Sequence, residues 1–129
     1  MTLPISEDQV EVLRAKLTGI CAGLPEVVAE RWGRSEEHST YAVRGKRFAY
    51  LWSDHHGDGR VALIAKAPRG AQADLVGHDP CRFFVPPYLG PSGWIGLRLE
   101  TGDPDWDEVD QIVRVAYRQQ APARLASQI

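Results

Sequence analysis

Asp54, His55, His56 and Asp58 crowd into the stretch SDHHGDG, and all four are of types that hold divalent metals. Their spacing argues against one shared ion. Neighbours in a tight turn splay apart, and His-Gly-Asp-Gly is ordinary turn chemistry. Five cations flank that stretch: Arg44, Lys46, Arg47, Lys66 and Arg69. Gathered on one edge, they would neutralise phosphates and position a nucleic acid without reading its sequence. Scattered, they are solvated charges that guard strand ends. Phe48, Tyr50 and Trp52 alternate along the next run. Alternation gives them one face, and the spacing assigns that face to the surface beneath the terminal helices; left open, the row would be a platform for stacked bases. The last candidate is FFVPPYLGPSGWIGLRLE, residues 83–100. Pro86 and Pro87 fix two φ angles and remove two backbone donors, so the chain must leave its sheet there. The loop that follows offers Tyr88 and Trp94 either as a wing to a ligand or as a lid folded back on the core.

Catalytic patterns are missing. His38, His55, His56 and His78 are candidate bases, but no nucleophile accompanies them beyond serines that adjoin histidines by chance, Ser39 and Ser53. There is no phosphate-binding glycine loop, nucleophile elbow or paired zinc motif. The sequence points away from an enzyme and calls for no cofactor.

These residues need elements to hold them. Ser6 with Gln9 three residues on is a capping box, and Val10, Leu13, Leu17 and Ile20 recur at helical spacing, which predicts an amphipathic helix from residue 7 to about 22. Gly23 stops it, and Pro25 is expected to start a short helical turn. Tyr41 and Val43 alternate with polar neighbours, Arg44-Gly45-Lys46 reads as a tight turn, and Val61, Leu63 and Ala65 begin another strand after the turn at SDHHGDG. That is an antiparallel meander of three strands. A short helix before Pro80 follows, then strands at CRFFV and WIGLRL. Asp103, Pro104 and Asp105 cap a last helix, whose first turn carries Asp107 and Glu108 and whose stripe is Trp106, Val109, Ile112, Val113, Ala116 and Tyr117. Pro122 ends it. The expected fold is α+β: a two-layer sandwich, with an antiparallel sheet flanked by N-terminal and C-terminal helices, in one domain spanning residues 1–129.

Composition fits one ordinary globular domain: 129 residues, 43% hydrophobic, 25% charged. The net charge of −2 hides a pattern, with −3 over residues 1–30, +4 over 31–70 and −3 over 71–129. Any attraction for an anion is therefore local to the middle of the chain. Cys21 and Cys81 fit no metal spacing and read as reduced thiols of a cytoplasmic protein. The acidic start lacks the pattern of a secretion signal, and no apolar run nears the ~20 residues that span a bilayer.

Three blocks, YAVRGKRFAYL, FFVPPYLGPSGWIGLRLE and DWDEVDQIVRVAYRQQAP, together resemble the MmcQ/YjbR-like proteins, a family defined as a domain of unknown function and populated by small bacterial proteins. The likeness runs from about Leu13 to Leu125 and rests on the order and spacing of all three. The family's Arg-Gly-Lys turn falls on Arg44, Gly45 and Lys46, with Phe48 after it. Its strand-end lysine falls on Lys66, its aromatic-proline-glycine block on Phe84, Pro87, Tyr88, Gly93 and Trp94, and its last-helix aromatics on Trp106 and Tyr117. The resemblance implies a CyaY-like (frataxin-like) fold and DNA binding through a "double wing". Duplex DNA would then meet Arg44, Lys46, Arg47, Lys66 and Arg69, with Tyr88 and Trp94 at the wing of a monomer. A protein or small ligand held by the same loop is the alternative. Frataxin-like metal binding through the acids from Asp103 to Asp110 is a third.

Overall fold

The computed structural model describes residues 3–129. Helix α1 (Glu7–Ala22) leads into strands β1 (Val27–Trp32), β2 (His38–Val43), β3 (Lys46–Ser53) and β4 (Val61–Ala65). Helix α2 (Ala71–His78), the two-residue strand β5 (Phe83–Phe84), β6 (Ile95–Arg98), α3 (Trp106–Gln120) and the single turn α4 (Ala123–Ala126) complete the chain. The strands form one antiparallel sheet in the order β1-β2-β3-β4-β6-β5.

The caps read from sequence are in place. Gln9 N–H donates to Ser6 Oγ at 3.1 Å, and Ser6 N–H donates to Gln9 Oε1 at 2.9 Å. Asp105 Oδ1 accepts from the N–H groups of Asp107 and Glu108. Each such cap supports its helix by about 1 kcal/mol. The buried stripes of α1 (Val10, Leu17, Cys21) and α3 (Val109, Val113, Ala116, Tyr117) then cover one face of the sheet. Tyr117 stands edge-on to Phe48, with ring centroids 5.5 Å apart.

Two expectations are corrected. The segment after Pro25 does not turn helical: a turn with Glu26 at φ 59° feeds the edge strand β1. Val27 and Val28 favour extended backbone, which explains the outcome. The second correction matters for function. Phe48, Tyr50 and Trp52 do not share a face. Tyr41 pairs with Ala49 and Ala42 with Arg47, so Phe48 is the extra residue of a β-bulge. The bulge turns both Phe48 and Ala49 toward the helices, and Leu51 follows them. Tyr50 and Trp52 are left on the opposite face, where Ala62, Ile64 and Trp94 join them in a second cluster with Phe84 and Leu89 packed against it.

Candidate functional site

This second face carries no helix; part of it is covered by the loop from Pro86 to Gly93, which chain geometry aims across it. Tyr88 adopts φ 66°, an uncommon and strained backbone for a large residue. Gly90 N–H donates to Pro86 O at 2.9 Å, and Gln72 Nε2 donates to both Gly90 O and Trp94 O at 2.9 and 2.7 Å. The loop is thus tied down at its base while Tyr88 stays 76% exposed. Gly96 is required beneath it: the Phe84 ring lies where any Cβ at that position would sit.

On the far side, the turn after β3 supplies His55 and His56. Asp54 and His56 also sit at positive φ, 50° and 55°. Strained residues of this kind cost about 1–3 kcal/mol each and gather where function demands a particular geometry. The turn's carboxylates are spent on its own backbone. Asp54 Oδ1 accepts from Gly59 N–H at 2.8 Å, and Asp58 Oδ1 from Arg60 N–H at 2.9 Å. Among the described residues, no three His, Cys, Asp or Glu side chains converge as a metal site. His55 instead stacks on Trp52, with centroids 4.0 Å apart and planes within 18°. His56 Nε2 lies 3.3 Å from Tyr88 Oη.

Between these walls lies a cavity of about 490 Å³ lined by Glu30, Trp32, Thr40, Arg47, Tyr50, Trp52, His55, Tyr88 and Leu89. That volume suits a small organic ligand. Trp32, on β1, is 39% exposed at its rim. Tyr50 and Trp52 are only 8% and 6% exposed. Trp94 is buried beside Tyr50, with centroids 5.6 Å apart, so it supports the cavity from behind rather than standing at a wing tip. Trp52 Nε1 and His55 Nδ1 are buried without a hydrogen-bond partner. Burial and the neighbouring His56 push the His55 imidazole below its ordinary value, so it stays neutral at neutral pH.

The cations gather at one end of the sheet. Val43 pairs with Lys46 across a two-residue turn whose Arg44 and Gly45 both have positive φ, as a type I′ hairpin requires. Lys66 N–H donates to Phe48 O at 3.1 Å, which sets the end of β4 beside the start of β3. Lys66 and Arg69 line one shallow cleft with Ser92 and Gly93. Arg44 is neutralised: its guanidinium grips Glu26 in two hydrogen bonds of 2.6 and 3.0 Å. Among the described residues, Lys46, Arg47, Lys66 and Arg69 have no carboxylate within 4.0 Å. Arg47 belongs to both regions, since it also lines the aromatic cavity.

A larger, polar cleft of about 570 Å³ lies between α1 and the start of β2. Its two arginines are engaged. Arg14 donates to Glu11, to Ser39 Oγ at 2.7 Å and to Glu37 O at 2.9 Å, while Arg31 also grips Glu11. It reads as a structural ion network. Three of the five acids from Asp103 to Asp110 are likewise engaged: Asp105 caps the helix, Glu108 binds Arg82 and Asp110 binds Arg114.

Sequence reasoning singled out the basic residues and Tyr88, and it placed Trp52 beneath the terminal helices, where the structure does not put it. It missed Trp32, Thr40 and His55 as cavity walls. Trp32 lies in an edge strand that the sequence left unassigned after the helical turn expected at Pro25, and the bulge that re-aims β3 has no signature in a single sequence.

The architecture is therefore an α+β sandwich with one helix-covered face and one open aromatic face. The YjbR family model matches residues 22–119, more than half of the chain, and the chain belongs to the YjbR family. In structure it is similar to a Deinococcus radiodurans protein, DR2400, whose domain is assigned to DUF419. The TM-score is 0.67 at 14% identity, over 87% of this chain and 83% of that one. At that identity the likeness speaks for the fold alone. No curated protein matches the chain in sequence. Among the described residues, no helix is long and apolar enough to cross a membrane.

Proposed function

We propose that this YjbR-family domain binds nucleic acid weakly, through phosphate contacts at the sheet end that carries Lys46, Arg47, Lys66 and Arg69. The observation that supports this reading is their convergence. They come from the start of β3 and the loop after β4, yet they lie at one end of the sheet with no carboxylate within 4.0 Å of any of them among the described residues. Unpaired cations on a preformed edge attract a polyanion even when the whole chain is slightly acidic, because local potential governs the encounter. Arg44 contributes less than the sequence implied, since Glu26 already neutralises it.

The test is fluorescence anisotropy of a labelled duplex and of a single strand, each titrated at rising salt. Binding should weaken steeply with salt. Alanine at Lys46 and Lys66 together should reduce the slope by about 1–2, one per lost phosphate contact. An unchanged slope in that double variant, or no binding at low salt, removes the assignment.

A further inference from the structure

We infer that the cavity on the helix-free face holds one unstacked nucleobase, seated between Trp32, Trp52 and Tyr88, with Arg47 at the rim taking the attached phosphate. Three independent features of the cavity select this chemistry. The walls are aromatic, and Trp32 and Tyr88 keep 39% and 76% of their surface open, so a flat ring has faces to stack on. Trp52 Nε1 is an unpaired donor on a side chain only 6% exposed. An indole N–H can only donate, so a ligand that reaches it brings an acceptor, as the ring nitrogens and carbonyls of bases do. Arg47 lacks a carboxylate partner and matches an anionic group in a forked geometry.

These features also reject the obvious rival. Aromatic cages hold quaternary ammonium groups. Arg47 would repel such a cation and Glu30, on the same lining, would attract it, so the deciding point is that the cation carries no acceptor for Trp52 Nε1. An apolar guest would leave Trp52 Nε1 and His55 Nδ1 unsatisfied as well. The cavity has room for one base with its sugar.

A base within a duplex is stacked on both sides and cannot enter. Single strands should therefore bind in preference to duplexes, and a free nucleotide fits too. For strands it rests on the phosphate-contact reading; for the free nucleotide it stands alone.

The experiment is calorimetric titration of the full chain with adenosine monophosphate and, separately, with ribose 5-phosphate, which has the phosphate but no base. Anisotropy with a single strand and a duplex of equal length runs alongside. Adenosine monophosphate is expected to bind saturably and at least about fivefold tighter than ribose 5-phosphate, the low end of what one stacked base contributes. The single strand should outbind the duplex by a similar factor. Tyr88→Ala, at an exposed position that folding does not need, should weaken the nucleotide at least about fivefold. Trp52→Phe keeps a ring and removes the N–H, and should weaken it as well. Equal affinity for the two small ligands, no saturable heat from the nucleotide, or indifference to Tyr88→Ala overturns the inference. If the nucleotide fails while duplex binding keeps its steep salt slope, the cavity assignment falls and the phosphate edge survives. If the nucleotide binds and neither strand does, the edge falls and the cavity survives.

Discussion

The two faces of this sheet are built from similar residues to different standards. On the helix-covered face the large polar side chains are paired. Tyr41 Oη lies 2.8 Å from Thr18 Oγ1, Tyr117 Oη donates to Pro25 O at 2.7 Å, and the buried Arg14 spends its guanidinium on Glu11, Ser39 and Glu37. On the helix-free side, aromatics of equal size leave Trp52 Nε1 and His55 Nδ1 unpaired, and among the described residues those are the buried side-chain atoms without a partner. Strain divides less sharply. Asp54, His56 and Tyr88, all at positive φ, lie in the loops beside the open cavity, although Glu26, Glu36 and Arg44 share that backbone in turns elsewhere. A face that serves only stability is closed and satisfied. Unpaired polar atoms held by strained loops stay in place only where something else constrains them.

The largest test of that contrast is a pair of truncations. Phe48→Ala removes the bulge residue that packs on Tyr117, and it should cost about 3–5 kcal/mol of stability in urea denaturation. Tyr88→Ala removes an equally large ring from the other face and should stay within about 0.5 kcal/mol. A Tyr88 cost close to that of Phe48 would mean that both faces are core, and the functional distinction would collapse. A subtler pair follows at single atoms. Tyr41→Phe and Tyr117→Phe each delete a satisfied hydroxyl and should each lose about 0.5–1.5 kcal/mol. His55→Phe keeps a ring stacked on Trp52 while deleting an orphaned nitrogen, so stability should hold or rise by up to about 1 kcal/mol. A loss in His55→Phe as large as that of the tyrosine variants would show that the Nδ1 atom is satisfied in solution.

How far the sequence reveals all this depends on the kind of signal. The terminal helices were legible to within a residue because caps and apolar spacing act locally: Ser6, Gln9 and Asp105 mark their own boundaries. The Arg44-Gly45 hairpin was legible for the same reason. The family likeness carried the fold class, while the order of the strands came only with the structure. The open face was not legible. Strict alternation placed Phe48 with Tyr50 and Trp52, and one inserted residue opposite Tyr41 and Ala42 separates them. A bulge is decided by what packs on the strand, here Tyr117, which lies far along the chain. Trp32 was lost with the edge strand that carries it, because β1 is exposed over most of its length and shows no buried stripe to read. The convergence of Lys46, Lys66 and Arg69 depended on strand register, which composition does not hold.

The smallest expected effect concerns pH, and it sharpens the comparison at the seam between the two regions. His38 is buried at the start of β2; its Nδ1 accepts from Ser53 N–H at 3.2 Å, and its ring lies 4.5 Å from Trp32 and 5.4 Å from His55. Burial pushes its imidazole below the ordinary value of 6.5; Glu37 opposes that shift and His55 and Arg14 reinforce it, with Asp58 a further opposing charge. The folded chain thus prefers neutral His38 while the unfolded chain protonates it near 6.5. The unfolded state binds more protons below that pH, so this contribution to stability is full above 6.5 and fades as the pH falls toward the lowered folded value. His55 shifts in the same direction and adds to the fall. The melting temperature should therefore drop between about pH 7 and pH 5. His38→Asn retains an acceptor for Ser53 N–H and removes the titration, so its profile should be flatter. His55→Phe should flatten it further by a separate increment. Parallel profiles for the parent and both variants would place the acid sensitivity among the paired carboxylates of the helix-covered side, such as Glu11, whose bond to Arg14 holds its carboxyl below the usual range.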